Sequence, residues 1–378
     1  MKGDHVTNGS NTFRRSADAM SGRLDRVRDW WTHAPQWQRW IVYIGLIVGA
    51  LILPAPWVGS FMSPYSDWTT VLIFPVGTYI LMAVGLNVVV GLAGLLDLGY
   101  VAFFAIGSYS LAYFGTAYGW NFWYTLALGV GITAVSGVIL GAPTLRLRGD
   151  YLAIVTLGFG EIVRITANNT TEIGGARGIT NIPHPPPMFG TKFLFDPAPY
   201  YYLILGAIVL VIIFSRRLET SRVGRSWAAI REDEDAAELM GVPTFKFKLL
   251  AFAVGAIIGG MAGSVWASQA NFIAPTSFPF ILSATILVAV VLGGSGNMPG
   301  VLLGAFLIAW LPERFRGLAE YRILFFGAAL VLLMALRPEG LLPSRRRRAE
   351  LAEGTGGMGS MGAEVGGPTA DTSVEVSK

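Results

Sequence analysis

The sequence contains no cysteine. This excludes disulfides, iron–sulfur clusters and zinc sites built on thiolates. Histidine is also scarce, and His5, His33 and His184 lie far apart in the chain, without the close spacing that metal ligands have. There is no GxxxxGK[ST] phosphate loop and no GxSxG motif, so ATP hydrolysis or serine-type catalysis by this chain is not predicted. We expect no metal, no catalytic residue and no enzyme activity.

Charged residues are also scarce. They make up 14% of the 378 residues, whereas a globular domain has about 25%. Apolar residues make up 53% and fall in long blocks, which is typical of an integral membrane protein. The first 35 residues contain no apolar run, so no cleavable signal peptide is predicted. Tryptophans precede the first apolar block at 30, 31, 37 and 40, as in an interfacial aromatic belt.

Apolar segments number ten and predict an all-α polytopic membrane protein with about ten transmembrane helices. Several are shorter than the roughly 20 residues of a perpendicular span. The fifth and ninth are the weakest, and half-helices or re-entrant pieces are the alternative for them. The segments are 41–60, 70–92, 98–117, 122–142, 151–167, 199–215, 247–268, 279–296, 300–312 and 322–336.

Lysine and arginine placement predicts the topology, because cytoplasmic segments are enriched in them. With both termini inside, the segments 1–40, 143–149, 216–248 and 337–378 hold 22 of the 28 basic residues. Eight spans would leave both termini on the same side. The predicted domains are a partly disordered cytoplasmic N-terminal tail (1–40), a transmembrane domain (41–343) and a disordered cytoplasmic tail (344–378).

Two outer features remain open between a structural and a functional interpretation. The periplasmic loop 168–198 contains a proline run that favours a stiff polyproline II conformation. The loop is either a rigid surface loop or a docking surface for a soluble partner. The segments 89–94 (VVGLAG) and 291–296 (VLGGSG) match weakly, either by chance or as a trace of two five-helix inverted halves.

A charged stretch at 222–248 interrupts the apolar chain. Residues 226–241 are predicted to form one helix, with Trp227, Ile230, Ala237 and Met240 on one face and acids elsewhere. Gly241 followed by Pro243 gives a helix stop. The helix is either pressed into a groove on a soluble partner or simply solvated.

The core of this stretch, Asp235-Ala236-Ala237-x-x-x-Gly241, resembles the EAA loop of ABC importer permeases, with Asp in place of Glu. The motif's I-x-L-P continuation is absent. Four stretches in order are similar to the branched-chain amino acid permeases of the LivM type, and the likeness extends from about 70 to 343, through RPEGLLP. They are GLNVVVGLAGLLDLGYVAFFAIGSYS (85–110), LRLRGDYLAIVTLGFGEIVRI (145–165), GRSWAAIREDEDAAELMG (224–241) and VVLGGSGNMPG (290–300).

The resemblance implies an ATP-driven importer in a bacterial inner membrane. Its partners would be a second, homologous permease chain, two ATP-binding subunits and a periplasmic binding protein. ATP and Mg²⁺ would reside on the ATPase subunits, with no cofactor on this chain. The cargo would be branched-chain or related amino acids; a urea or short-amide permease of the same family and a stand-alone secondary transporter or channel are the alternatives. The implied ATPase-coupling residues are Gly224, Arg225, Ala229, Glu232, Asp235, Ala236, Ala237 and Gly241.

Polar residues and glycines in the apolar segments are candidates for the substrate path, since polar groups in hydrocarbon are costly and often functional. Glu161 and Arg164 are three residues apart and can form an ion pair on one helical face. This pair is either structural or a contact for the cargo. Close helix packing is the alternative role for the glycines. The path candidates are Asn87, Gly91, Gly94, Asp97, Gly99, Glu161, Arg164, Gly293 and Gly294; those for periplasmic docking are Gly174, Gly175 and Arg177.

Overall fold

The computed structural model describes residues 45, 48–62, 66–145, 147, 149–187, 193, 197–314, 327–328, 331 and 340–342. Within these ranges the chain is mostly helical, and strand pairing is confined to one two-residue bridge. The predicted tails 1–40 and 344–378, and most of the tenth apolar segment, lie outside the described residues.

The helices follow most of the predicted apolar segments to within a few residues. They are α1 (Pro56–Met62), α2 (Trp68–Leu92), α3 (Val101–Tyr118), α4 (Phe122–Thr144), α5 (Asp150–Asn169), α6 (Pro197–Thr220), α7 (Arg222–Glu232), α8 (Glu234–Leu239), α9 (Thr244–Ala270), α10 (Phe280–Gly293) and α11 (Met298–Arg314).

Five helical stretches of the described chain are long and apolar enough to cross a membrane: α2, α4, α6, α9 and Pro275–Gly293, which contains α10. The chain is therefore a multi-pass membrane protein. At 17 residues, α11 is slightly short, and the charges of Glu161 and Arg164 lower the apolarity of α5.

Within the described apolar segments, a helix break occurs before a proline and not in the two weakest segments. The fifth and ninth segments form the continuous helices α5 and α11. The break lies instead in α2, where Phe74 has extended dihedral angles (φ −136°, ψ 125°) before Pro75. Proline supplies no backbone N–H and disfavours the helical conformation of the residue before it.

The centre of the fold is a close contact of α3, α4 and α9. A Cβ added at Gly107 of α3 would lie 2.2 Å from the Gly260 carbonyl oxygen of α9, and one at Gly260 would lie 2.2 Å from Oγ1 of Thr133 in α4. Small residues let helix backbones approach this closely. With 27 residues, α9 is about 40 Å long at 1.5 Å per residue, so it joins two distant ends of the molecule.

At one end of α9 the chain turns through a short sheet. Strand β1 (Ile179–Thr180) pairs antiparallel with β2 (Phe272–Ile273). At the other end lie α7 and α8, together with the turn between α10 and α11. Residues 340–342 pack on that turn, where the Leu341 N–H donates to the Leu292 carbonyl (2.7 Å).

Candidate coupling site

The charged stretch forms two helices, so the predicted single helix over 226–241 is wrong. Asp233 has extended dihedral angles (φ −154°, ψ 112°), and its carboxylate accepts from the N–H groups of Asp235 and Ala236, each at 3.0 Å. Asp233 is thus the N-cap of α8, a position that aspartate favours. Acids in the first turn of α8 add to this preference, because they complement the positive end of the helix dipole.

Two contacts anchor this pair of helices to the start of α9. Trp227 is fully buried, and its Nε1–H donates to the Phe247 carbonyl at 2.7 Å. The Lys248 side chain, 3% exposed, pairs with Glu234 of α8. A buried lysine needs such a partner. Sequence reasoning missed Lys248, because only the tertiary fold brings it to an acid 14 residues away.

A third contact connects α7 to the end of α2. Nη1 of Arg231 donates to the Gly91 carbonyl at 2.5 Å. Beside it, the Asn87 side-chain oxygen accepts from the Gly296 N–H at 2.8 Å. The segments 89–94 and 291–296, which resemble each other in sequence, therefore lie next to each other and against α7.

The far end of α8 is apolar and exposed. Leu239 and Met240 are 89% and 85% exposed, while Ala237 is buried. The prediction that Met240 shares the buried face of Trp227, Ile230 and Ala237 is wrong for Met240, because the break at Asp233 changes the direction of the second helix. The chain reverses at Gly241, which has φ +84°.

The other coupling candidates lie on the same two helices. A Cβ at Gly224 would lie 2.2 Å from the Glu219 carbonyl, so glycine allows the close turn from α6 into α7. Arg225 is exposed and donates to the Thr220 carbonyl at 3.1 Å. Ala229 is half-buried, and its carbonyl accepts from the N–H of Asp233, which is the C-cap residue of α7. Glu232, Asp235 and Ala236 are exposed.

A cavity of about 330 Å³ separates the coupling helices from the ends of the membrane helices. The link after α2 (Ala93–Leu96) forms one wall, and the start of α5 (Gly149 and Leu152) forms another. The third wall is charged and runs from Arg231 to Asp235, with Lys248 beside it.

Some path candidates gather at this end of the fold. Asn87, Gly91 and Gly94 lie at the end of α2, and Gly294 (φ +107°) follows α10. Gly99 and Gly293 are packing positions, where an added Cβ would lie 1.8 Å from the Thr156 carbonyl and 2.3 Å from the Gly300 carbonyl.

Asp97 lies in the link between α2 and α3 and is fully buried. One carboxylate oxygen accepts from the Gly99 N–H at 2.8 Å, and the other has no hydrogen-bond partner among the described residues. Burial raises the pKa of Asp97 to about 6, and the hydrogen bond from the Gly99 N–H opposes this increase only in part.

Glu161 and Arg164 form the predicted ion pair on α5, with nitrogen–oxygen distances of 2.7 and 2.9 Å. Each side chain is about one-third exposed, and neither lines the cavity beside the coupling helices. The structure thus places this pair apart from the glycine turns.

The docking candidates lie at the opposite end of the molecule. Gly174 and Gly175 form left-handed turns after α5 (φ +90° and +51°), and Arg177 is exposed. Next to them, the Asn271 side-chain oxygen accepts from the Ile182 N–H at 2.9 Å. This fixes the loop onto the end of α9.

A polytopic helical bundle with an anchored, acid-rich pair of helices outside it defines a membrane transport permease. A family model described as "Branched-chain amino acid transport system / permease component" matches residues 69–334. The chain belongs to this family.

Named relatives agree with this assignment. The chain is 44% identical over 299 residues to the high-affinity branched-chain amino acid transport system permease protein LivM of Salmonella typhimurium, covering 73% of this chain and 70% of the relative. It is 41% identical over 331 residues to LivM of Escherichia coli K12, covering 82% and 77%. A more distant relative is LivH of Escherichia coli K12, at 24% over 292 residues, covering 70% and 91%. No solved structure matches the chain significantly.

Proposed function

We propose that this chain is a permease subunit of an ATP-driven importer that moves branched-chain amino acids inward by alternating access. The observation that carries the proposal is the anchored pair α7–α8, which is joined to α2 and α9 on one side and exposes apolar and acidic residues on the other. A solvated surface helix needs no buried tryptophan and no buried lysine to hold it. Relatives at 41–44% identity are named as branched-chain amino acid permeases, which supports the cargo.

The exposed end of α8 is the surface that we assign to the ATPase. Leu239 and Met240 supply an apolar centre, and Glu232, Asp235 and Glu238 are exposed on the same pair of helices. An apolar centre with a charged rim is the usual arrangement of a protein interface. We propose that it docks in a groove with basic residues at its edge. ATP and Mg²⁺ are bound by that partner, and this chain supplies no cofactor.

Ten spans with both termini cytoplasmic are the topology that we propose, with 41–343 as the permease domain, 222–248 as its cytoplasmic coupling loop and 168–198 as its periplasmic loop. The packing supports two inverted five-helix halves. The second helix of one half, α2, and that of the other, α9, contact each other. Each also packs on the following hairpin of the opposite half: α9 on α3–α4, and α2 on α10–α11. An inverted duplication produces this exchange.

The assembly that we propose contains a second, homologous permease, two ATPase subunits and a periplasmic binding protein, in a bacterial inner membrane. LivM and LivH of one organism are both similar to this chain, which supports pairing with a homologue. The outer face of α5 suits such a contact, because Tyr151, Ile154 and Ile162 are 72%, 64% and 62% exposed. The Gly174–Arg177 turns are our candidate contact for the binding protein.

Reconstitution tests the proposal. The chain is co-expressed with its neighbouring permease and ATPase genes, placed in proteoliposomes and given the cognate binding protein outside. We expect leucine, isoleucine or valine uptake that requires ATP inside and is lost with a hydrolysis-deficient ATPase. Uptake without the ATPase subunits would contradict the proposal and favour a stand-alone transporter.

A further inference from the structure

We propose that Arg231 is the positioning residue that transmits movement of α7 to α2 and α10 together. The inference rests on the proposed coupling function and deepens it. It names the side chain through which docking of the ATPase at α8 reaches one membrane helix from each half of the chain.

The first observation is the bond itself. Arg231 lies on the inner side of α7, and its guanidinium donates to the Gly91 carbonyl at 2.5 Å. Gly91 lies in the last turn of α2, Asn87–Leu92, where carbonyls run out of partners within the helix. A charge-assisted bond is among the stronger links available between a side chain and backbone. The end of α2 is therefore held by a side chain from the coupling helix.

The second observation is that two glycine turns leave room for this side chain. Gly94 has φ +73°, and an added Cβ would lie 2.8 Å from Cγ of Arg231. Gly296 has φ +81°, and an added Cβ would lie 3.1 Å from Nη1. Left-handed backbone of this kind favours glycine. Arg231 therefore lies between the turn that follows α2 and the turn that follows α10.

The third observation is that these two turns are joined directly. Asn87 is 1% exposed and accepts from the Gly296 N–H at 2.8 Å. A Cβ at Gly91 would lie 2.5 Å from that same Gly296 nitrogen. A displacement applied at the Gly91 carbonyl is thus passed on to the α10–α11 turn through this backbone contact and the buried Asn87 side chain.

The fourth observation concerns the spacing of the anchors along α7. Trp227 and Arg231 are four residues apart, so they lie one above the other on one face of the helix. Trp227 holds α7 to the start of α9, and Arg231 holds it to α2 and α10. The single turn of α7 between Trp227 and Arg231 therefore joins α9, the central helix of the fold, to α2 and α10.

The test uses the whole assembly in nanodiscs, with R231Q and R231K in place of the wild-type permease. Leucine uptake and ATP hydrolysis are measured on the same preparations. For R231Q we expect normal assembly and ATP hydrolysis, with at least a tenfold fall in leucine moved per ATP. For R231K, which keeps the charge but lacks the planar fork of donors, we expect a smaller fall. R222Q is the control, because Arg222 is exposed at the start of the same helix, and its ratio should stay near wild type.

A positional measurement separates transmission from a merely structural role. The absence of cysteine allows two spin labels to be placed uniquely, at Leu96 after α2 and at Lys246 at the start of α9. We expect ATP to change the distance between them in the wild-type assembly and to leave it unchanged in R231Q. If R231Q shows the wild-type ATP-dependent change, or the wild-type uptake per ATP, the inference is overturned.

The two proposals fail in different ways. A wild-type assembly that transports without ATPase subunits contradicts the proposed function. A wild-type assembly that needs ATP, together with fully coupled R231Q and R231K variants, leaves that function standing and removes Arg231 from the transmission. If R231Q fails to accumulate in the membrane, R231K is used instead. The amount of leucine moved per ATP and the ATP-dependent distance between the two spin labels then decide the outcome.

Discussion

The two ends of α9 are fastened in different ways. At the coupling end, links from ionised side chains stand beside the neutral bond from Trp227 to the Phe247 carbonyl. Lys248 of α9 pairs with Glu234, and Arg231 of the neighbouring α7 donates to the Gly91 carbonyl. At the opposite end the links are neutral. The β1–β2 bridge and the Ser268 hydroxyl, which donates to the Pro183 carbonyl at 2.8 Å, hold the loop there.

The two ends therefore differ in how strongly their links would respond to a charged partner. Bonds to ionised groups are sensitive to charge brought nearby, and their strength depends on how well water is excluded. Neutral backbone pairing is comparatively insensitive to such changes. In the proposed assembly, the coupling end is therefore the one that we expect to respond to charge brought by a partner, whereas the links at the opposite end are less sensitive to it.

The largest expected effect tests the anchor of the coupling end. Trp227→Ala removes a fully buried ring and its bond to the Phe247 carbonyl, and a buried aromatic truncation costs about 3–5 kcal/mol. We expect the thermal midpoint of the detergent-solubilised protein to fall by several degrees. Trp227→Phe keeps most of the ring and loses the hydrogen bond, at about 1 kcal/mol. Equal midpoints for Ala and wild type would show that this anchor is unimportant.

A second substitution separates docking from folding at the same end. Asp235→Lys reverses a charge on an exposed position of α8. We expect unchanged membrane expression and thermal midpoint, with at least a tenfold loss of ATP-dependent uptake and of ATPase stimulation by the loaded binding protein. Asp150→Lys, a reversal of another exposed acid at the same end of the molecule but on α5, is the matched control. Full uptake in Asp235→Lys would contradict the docking role.

The smallest effect concerns pH at the opposite end. Nδ1 of His184 lies 2.6 Å from the Tyr200 hydroxyl, and burial lowers the pKa of His184 below its ordinary value of 6.5. The folded state therefore favours the neutral ring, so its stabilising contribution is complete above pH 6.5 and declines as the pH falls toward the lower folded pKa. We expect a modest drop in thermal midpoint between pH 7.5 and 5.5.

His184→Gln is the control for this pH effect. It cannot titrate, so its midpoint should change less with pH over the same range. An identical pH dependence in the variant would assign the effect to other groups.

Much of the helical fold could be predicted from the sequence, because apolar blocks report burial directly. The predicted segments 122–142, 199–215 and 247–268 lie within α4, α6 and α9. The break within 226–241 is not predicted by the helical pattern, because Asp233 is one of several acids in a row that suit an exposed helix face. An aspartate followed by Glu234 and Asp235 is also an N-cap signal.

The sequence can nominate residues for the candidate site, but it does not give their geometry. The D-A-A-x-x-x-G pattern indicates the coupling segment, and the weak match between two glycine-containing segments draws attention to 89–94 and 291–296. Nothing local indicated that Arg231 lies between those two glycine turns or that Lys248 pairs with Glu234. Such contacts join residues 140 positions apart in one case, so only the folded chain reveals them.

The close contact of α3, α4 and α9 has a consequence for permeability. Where the Gly107 backbone meets Gly260 and the Gly260 backbone meets Thr133, the gap between helices is narrower than a methyl group. Water, ions and amino acids therefore have no passage between α3, α4 and α9 at this level. In the proposed assembly, a route for cargo would have to lie outside this contact.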